Sequence, residues 1–344
     1  MAIKYSKQDL KTLRRFSREL GVHEADIVRA LEKALRSINV DFKRIASLIA
    51  QGQIGQAVDL IDWNLFEREL SVTMSAELRA AMVRGANTAR DIAPGALAAG
   101  FFVLSPHVEN FIRGHTAELV REITASQKMA VRRYVYESYI EGRPPGHTAR
   151  RLRGIIGLTE KQALAVSRFE AHVDRVLLGE LSEDSLRSRF RLAPKIGQRK
   201  AEQLKQEYAY RMLRHRHETI AIHEANLMYN AGNRAMYEQA MAQGHIPPNA
   251  VYEWLTTPDE RACTICIPMH GVQVPAFGGM FQLPNGDVKA GPPAHIRCRC
   301  GMILVTDPAA IREQSEGEVR ANTFLSRRLE ELVASGKIPQ ATLP

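Results

Sequence analysis

Residues 253–300 read EWLTTPDERACTICIPMHGVQVPAFGGMFQLPNGDVKAGPPAHIRCRC, and they divide the chain into two kinds of sequence. All four cysteines of the protein lie here, Cys263 and Cys266 in a C-x2-C pair, Cys298 and Cys300 in a C-x-C pair, with His270 and His295 beside them. Glycine and proline cluster, and the apolar runs around this stretch shorten to VYEWL, GVQVP, MFQL and MILV. Asn285–Gly286, set between MFQLP and DVK, signals a tight hairpin. Such a stretch reads as a small module of short strands and turns.

Upstream the pattern is helical. QDLKTLRRFSREL and EADIVRALEKALRSI, separated by Gly21, place apolar residues at three- and four-residue steps, and so on one face. Further helical blocks run from Trp63 to Ala93 and from Pro106 to Gly142, where Pro144–Pro145–Gly146 cannot continue a helix. Thr159, followed three residues later by Gln162, is a capping-box signature. From Gln198 to Ala242, Leu204, Tyr208 and Met212 fall at steps of four, and Pro247–Pro248 ends the helical part. Downstream, residues 309–334 read as helix before a polar coil. The expected fold is mainly α. A helical region (1–155) and a basic helical region (156–245) precede an α+β Cys/His-rich module (246–306), followed by a helical tail and coil (307–344).

The chain has 344 residues, 45% hydrophobic and 25% charged, the composition of a folded protein with a sizeable core. Its first residues, MAIKYSKQDLKTLRRF, lack the apolar h-region of a secretory signal. The most apolar stretch, Ile92 to Leu104, is short of the ~20 residues that span a bilayer, and it reads as buried helix or packed loop. No membrane role is expected, and folding in a cytoplasm is. The formal charge of +9 favours polyanions, because neutralising phosphates releases counterions.

Six metal-ligand side chains between Cys263 and Cys300 suit a structural zinc ion, which takes four in a tetrahedron. Cys263 and Cys266 would supply one pair and Cys298 and Cys300 the other, with His295 or His270 able to replace a thiolate. Reduced cysteines packed as small hydrophobes, or disulfides, are the alternatives. A catalytic zinc has less support: HExxH is absent, and so is the H-x-E with P-C-x-x-C of zinc deaminases.

ETIAIHEANLMYNAGNRAMYEQA, EWLTTPDERACTICIPMHG, FQLPNG and GPPAHIRCRC, in that order, resemble the phage Mu F-like, or head morphogenesis, family of minor head proteins. The matching positions are Trp254, Thr256, Asp259, Arg261, Cys263, Cys266 and Gly271, then Pro292, Pro293, His295, Cys298, Arg299 and Cys300. The resemblance is dense over residues 214–302. Where the family often has Ile-Ala-Arg-Thr-Glu, this chain has Ile220-Ala221-Ile222-His223-Glu224, so the arginine's role does not carry over. The resemblance implies a low-copy structural component of a tailed-phage virion head, assembled in the host cytoplasm against the portal or major capsid protein. Some relatives carry a fused toxin or transferase domain, for which the residues after Cys300 are too few. An enzyme packaged in the head and a zinc-dependent DNA-binding protein are the alternatives.

Two further groups attract roles. Glu224, Trp254, Asp259 and Arg261 are read as bracing the cysteine module rather than catalysing, since partners of metal ligands commonly orient them. Between Arg187 and Arg216 stand ten basic residues against Glu202 and Glu207. Arg187, Arg189, Arg191, Lys195, Arg199, Lys200, Lys205 and Arg211 are the expected contacts to nonspecific double-stranded DNA or to an acidic portal surface.

Overall fold

The computed structural model describes residues 3–92, 106–190, 198–306 and 320–335. It is mainly helical, with strands gathered in a small C-terminal region around the cysteines. In chain order the elements are β1 (Lys4–Tyr5), α1 (Lys7–Ser37), α2 (Phe42–Ala50), α3 (Ile54–Asp59), α4 (Trp63–Ile92) and α5 (Pro106–Ile140). Then come α6 (Pro145–Arg151), α7 (Glu160–Leu177), α8 (Asp184–Phe190) and α9 (Gln198–Ala242). The C-terminal part holds β2 (Val251–Leu255), β3 (Gln273–Pro275), β4 (Phe281–Gln282), β5 (Val288–Lys289), β6 (Gly301–Val305), β7 (Arg320–Ala321) and α10 (Thr323–Ala334).

Local chemistry explains several boundaries. The Thr159 hydroxyl accepts from the Gln162 amide at 3.3 Å while the Gln162 side chain accepts from the Thr159 amide at 3.0 Å, closing the capping box that starts α7. Gly21 does not separate two helices, because α1 runs straight through it. A helix-interior glycine costs only about 1 kcal/mol, which the packing of Phe16, Leu20, Ile27 and Leu31 outweighs. The apolar stretch after Ile92 lies outside the described residues. In the expected tail helix, 320–321 is instead a strand paired with β1, and the helix proper starts at Thr323 behind its Asn322 cap.

The chain folds as two compact units that are discontinuous in sequence. The first comprises Met1–Val28, Ser75–Arg113 and Thr219–Pro344, the second Arg29–Met74 and Gly114–Glu218. In the first unit, α4 and α9 meet through two glycines. A Cβ at Gly232 would lie 1.9 Å from the Met82 carbonyl oxygen, and one at Gly85 2.0 Å from that of Tyr229. Only hydrogen fits at either position. The antiparallel sheet β3-β2-β6 pairs Trp254 with Met302 and Tyr252 with Leu304, and its core includes Tyr237, Trp254, Phe281 and the cysteines. The expected hairpin is present as β4–β5, with Gly286 at φ +89° in the turn.

The second unit has helices and no strand among its described residues. Its core joins Ile45, Trp63, Tyr134, Leu152 and Val166, and beside that core lies a buried ion cluster. The Glu170 carboxylate, 1% exposed, accepts from Tyr134 Oη at 2.6 Å, Arg143 Nη1 at 3.0 Å and Arg151 Nε at 2.7 Å.

Candidate metal centre

The first cysteine pair sits on a turn after β2. Cys266 N donates to Cys263 O at 3.1 Å and Ile267 N to the same carbonyl at 2.9 Å, which holds both sulfurs on one side. The second pair closes the Pro292–Pro293 loop and leads directly into β6, and the Cys298 amide donates to the His295 carbonyl at 3.1 Å. Since β2 and β6 are hydrogen-bonded neighbours, sheet pairing brings the two cysteine pairs together across the intervening hairpin.

Five donors converge. Cys263, Cys266 and His295 form one group, and Cys266, Cys298 and Cys300 form another; in each the ligand atoms lie within 4.8 Å of one another, and Cys266 belongs to both. Cys266 Sγ is 3.7 Å from Cys298 Sγ, close to the edge of about 3.8 Å that a tetrahedron with 2.3 Å metal–sulfur bonds requires. His295 Nε2 lies 2.9 Å from Cys263 Sγ and 3.1 Å from Cys266 Sγ. His295 Nδ1 is 2.7 Å from the Ile296 carbonyl, so Nδ1 carries a proton and Nε2 is the ring nitrogen that faces the sulfurs. All four cysteines are free of disulfide bonds. This donor set could hold a metal ion.

The electrostatics of the cluster separate the thiols. Hydrogen bonding from Cys266, with His295 beside it, draws the Cys263 thiol down to about 4 against the effect of burial. The Cys298 thiol is also pulled down, by Cys266 and then Cys300. Cys266 is pushed up by its role as donor to Cys263 and Cys298, and Cys300 by burial. His295 rises to about 9, chiefly through its bond to Cys263, so without a metal the ring holds a proton against that thiolate, which a bound cation would replace. A cluster that already favours two thiolates suits a cation.

His270, expected as a possible sixth donor, is not part of the group. Its Nδ1 accepts from the Thr256 amide at 3.3 Å, its Nε2 lies 2.8 Å from the Lys4 carbonyl, and its ring stacks on Tyr5 at 3.9 Å. Both nitrogens are occupied, so the ring ties β1 to the module and has no lone pair for a metal.

Around the donors, α9 and β2 hold the backbone. Asn226 Nδ2 donates to Cys298 O at 2.5 Å, Asn230 Nδ2 to Cys300 O at 3.4 Å, and Thr256 Oγ1 to Cys266 O at 2.6 Å. Arg299 forms an ion pair with Glu24 of α1. Trp254 is fully buried beneath the site, with its ring edge-on to Phe281 at 5.2 Å. Arg261 grips Asp259 through Nε at 2.9 Å and Nη2 at 2.5 Å, and Thr257 Oγ1 adds a contact at 3.3 Å. Glu224 is buried on α9. Sequence reasoning passed over Asn230, Glu24 and Tyr5. Two asparagines one turn apart inside a long helix were a visible signal, because mid-helix asparagine is unfavourable unless its amide has a partner.

Comparison with known proteins identifies the segment. Residues 195–303 match the family described as Phage Mu protein F like protein. The resemblance carried by the motifs is thus confirmed over that stretch. No curated protein and no solved structure matches the chain. The Phage Mu protein F-like segment contains all of α9, the three-stranded sheet except the last residues of β6, and all five donors.

The basic stretch is distributed otherwise than a continuous cationic face requires. Lys205 is 2% exposed, with Nζ 2.5 Å from Asp174 and 2.9 Å from Glu202. Arg216 is buried and donates to Gly157 O at 2.8 Å, and burial lowers its guanidinium to about 10. Lys205 therefore cannot reach a phosphate, because its charge is consumed inside the fold. Lys200 and Arg211 are exposed, the latter over the Tyr208 ring at 5.7 Å. Arg191 and Lys195 lie outside the described residues, as do the side chains of Arg187, Arg189 and Arg199.

Proposed function

We propose that this protein is a structural component of a tailed-phage head, carried in the virion and docked on the portal or major capsid protein during assembly. The match of residues 195–303 to the Phage Mu protein F-like family carries this reading. The non-enzymatic part of the reading is supported by the use of its polar groups: both Asp259 oxygens are engaged by Arg261 and Thr257, and Asn226, Asn230 and Thr256 all bond cysteine carbonyls. Purified particles of the phage that encodes the chain should contain it at low copy, and deletion of its gene should yield defective heads. Infectious particles formed normally without it would overturn the reading.

Within that role, zinc is the metal proposed for the cysteine centre, bound around Cys266 by Cys263 and His295 on one side and by Cys298 or Cys300 on the other. The ion would staple the loop carrying Cys263 to the start of β6. Thiolates and imidazole with near-tetrahedral sulfur spacing favour zinc over the harder divalent cations. Elemental analysis of protein purified without added metal should give about one zinc per chain. A value near zero with freely titratable native thiols would remove the metal from this account.

A further inference from the structure

We infer that the exposed cationic face of α1, built on Lys11, Arg14 and Arg18 with Lys7 in line, is a contact surface for the phosphate backbone of double-stranded DNA. This goes beyond the reading as a head component, and it places a polyanion contact on the first helix, apart from the 187–216 stretch.

Lys7, Lys11, Arg14 and Arg18 recur at steps of four, three and four. At 100° per residue they fall within about 60° of arc, and at 1.5 Å per residue they extend over about 16 Å. All four are exposed, and Lys11, Arg14 and Arg18 have no acidic partner among the described residues. The acids of this part of α1 point elsewhere. Asp9 caps the helix, accepting from Ser6 N at 2.7 Å. Glu19 is taken by Arg15, Thr88 and Tyr229, and Glu24 by Arg299. Arg15 borders the same face and is held by Glu19 and Asp91. Along the face runs a shallow groove of about 560 Å³, with Tyr5 and Leu10 contributing apolar surface.

Local stability does not explain the arrangement. Arg14 and Arg18 are a like-charge pair at i,i+4, which destabilises a helix by a few tenths of a kcal/mol. Cations in its first turns also oppose the macrodipole. For Lys11, Arg14 and Arg18, a local rule broken without an acidic partner among the described residues points to a partner outside the fold. That partner must be a polyanion with closely spaced charges, and duplex DNA carries one per about 1.7 Å of axis.

The test is the salt dependence of binding by the purified full chain to a random-sequence duplex, followed by fluorescence anisotropy. Three phosphate contacts, from Lys11, Arg14 and Arg18, predict an affinity loss of about 40-fold between 50 and 200 mM salt. The triple variant K11Q/R14Q/R18Q removes all three and should lose almost all of that salt dependence. K200Q/R211Q/R214Q removes the same charge from the exposed part of the 187–216 stretch and should keep the wild-type slope, as should the charge-preserving K11R/R14K/R18K. Each variant's thermal transition is measured alongside, and these exposed substitutions should leave it in place. A wild-type slope in K11Q/R14Q/R18Q, or flattening confined to K200Q/R211Q/R214Q, would overturn the inference. Salt-insensitive binding by the wild-type chain would also overturn it and would favour an acidic protein surface as the partner. Because binding is measured on isolated protein, its failure is distinct from absence of the chain from heads.

Discussion

Replacing Gly232 by alanine adds one methyl where the backbones of α4 and α9 touch. The new Cβ would sit 1.9 Å from the Met82 carbonyl oxygen and 2.8 Å from its carbon, with Ala86 N at 3.1 Å. Cβ contacts below 3.0 Å essentially do not occur, so the two helices must separate locally by about 1.1 Å. The obstacle is backbone, so no rotamer change relieves it. Overpacking of this kind costs about 1–3 kcal/mol, and a backbone clash belongs at the upper end. Alanine's better helix propensity returns about 1 kcal/mol. The net expectation is a destabilisation of about 2 kcal/mol, or several degrees in Tm. Gly85→Ala should behave alike, since its Cβ would meet Tyr229 O at 2.0 Å in the same helix crossing. Once one methyl has parted the helices the second meets less resistance, so the double variant should lose less than the sum of the singles. Circular dichroism melts with urea titrations on the four proteins measure this. A G232A protein that melts at or above wild type would mean that only the propensity gain is felt and that the helices are not in backbone contact.

Other outcomes follow from the buried charges and from the metal centre. Glu170→Gln leaves Arg143 and Arg151 facing a neutral amide in a buried site, and should lower stability by about 3–5 kcal/mol in urea unfolding. An unchanged midpoint would show that water reaches the cluster. His217 is buried, and desolvation with Arg216 alongside lowers its pKa to about 4 from the ordinary 6.5. The native state thus resists protonating this ring: its stabilising contribution is complete above about pH 6.5 and is lost as pH falls towards 4, about 3 kcal/mol in all. His217→Gln should flatten the pH dependence of the urea midpoint in that window, and an unaltered profile would assign it to other groups. Asp259→Asn breaks a bidentate pair whose side chains are 28% and 46% exposed, so the expected loss is only about 0.5–1 kcal/mol. A collapse of the module in that variant would give Asp259 a larger role. If zinc is bound, a strong chelator should lower the thermal transition of wild type and have no effect on a Cys266→Ser variant, which lacks the donor common to both groups.

The sequence by itself determined the helical class, the place where helix gives way to a strand-and-turn module, and the location of the metal-ligand set. These are local properties. The Thr159–Gln162 box, the proline stops and the Asn285–Gly286 turn each act within a few residues, and each is found where the pattern places it, whereas apolar periodicity missed the continuity of α1 through Gly21 and the strand at 320–321. Tertiary structure alone decided which side chains share a space. His270 and His295 look equivalent beside the cysteines, but the Thr256 amide and the Lys4 carbonyl take both nitrogens of the first, while the Ile296 carbonyl takes only Nδ1 of the second and leaves Nε2 facing the sulfurs. Lys205 and Lys11 look equivalent as cations, but one turns inward to Asp174 and the other outward to solvent. Nor do consecutive blocks of sequence reveal that residues 1–28 fold with 219–344. Partners distant along the chain are chosen by packing and by the need of every buried polar group for a bond, and neither leaves a signature within a few residues.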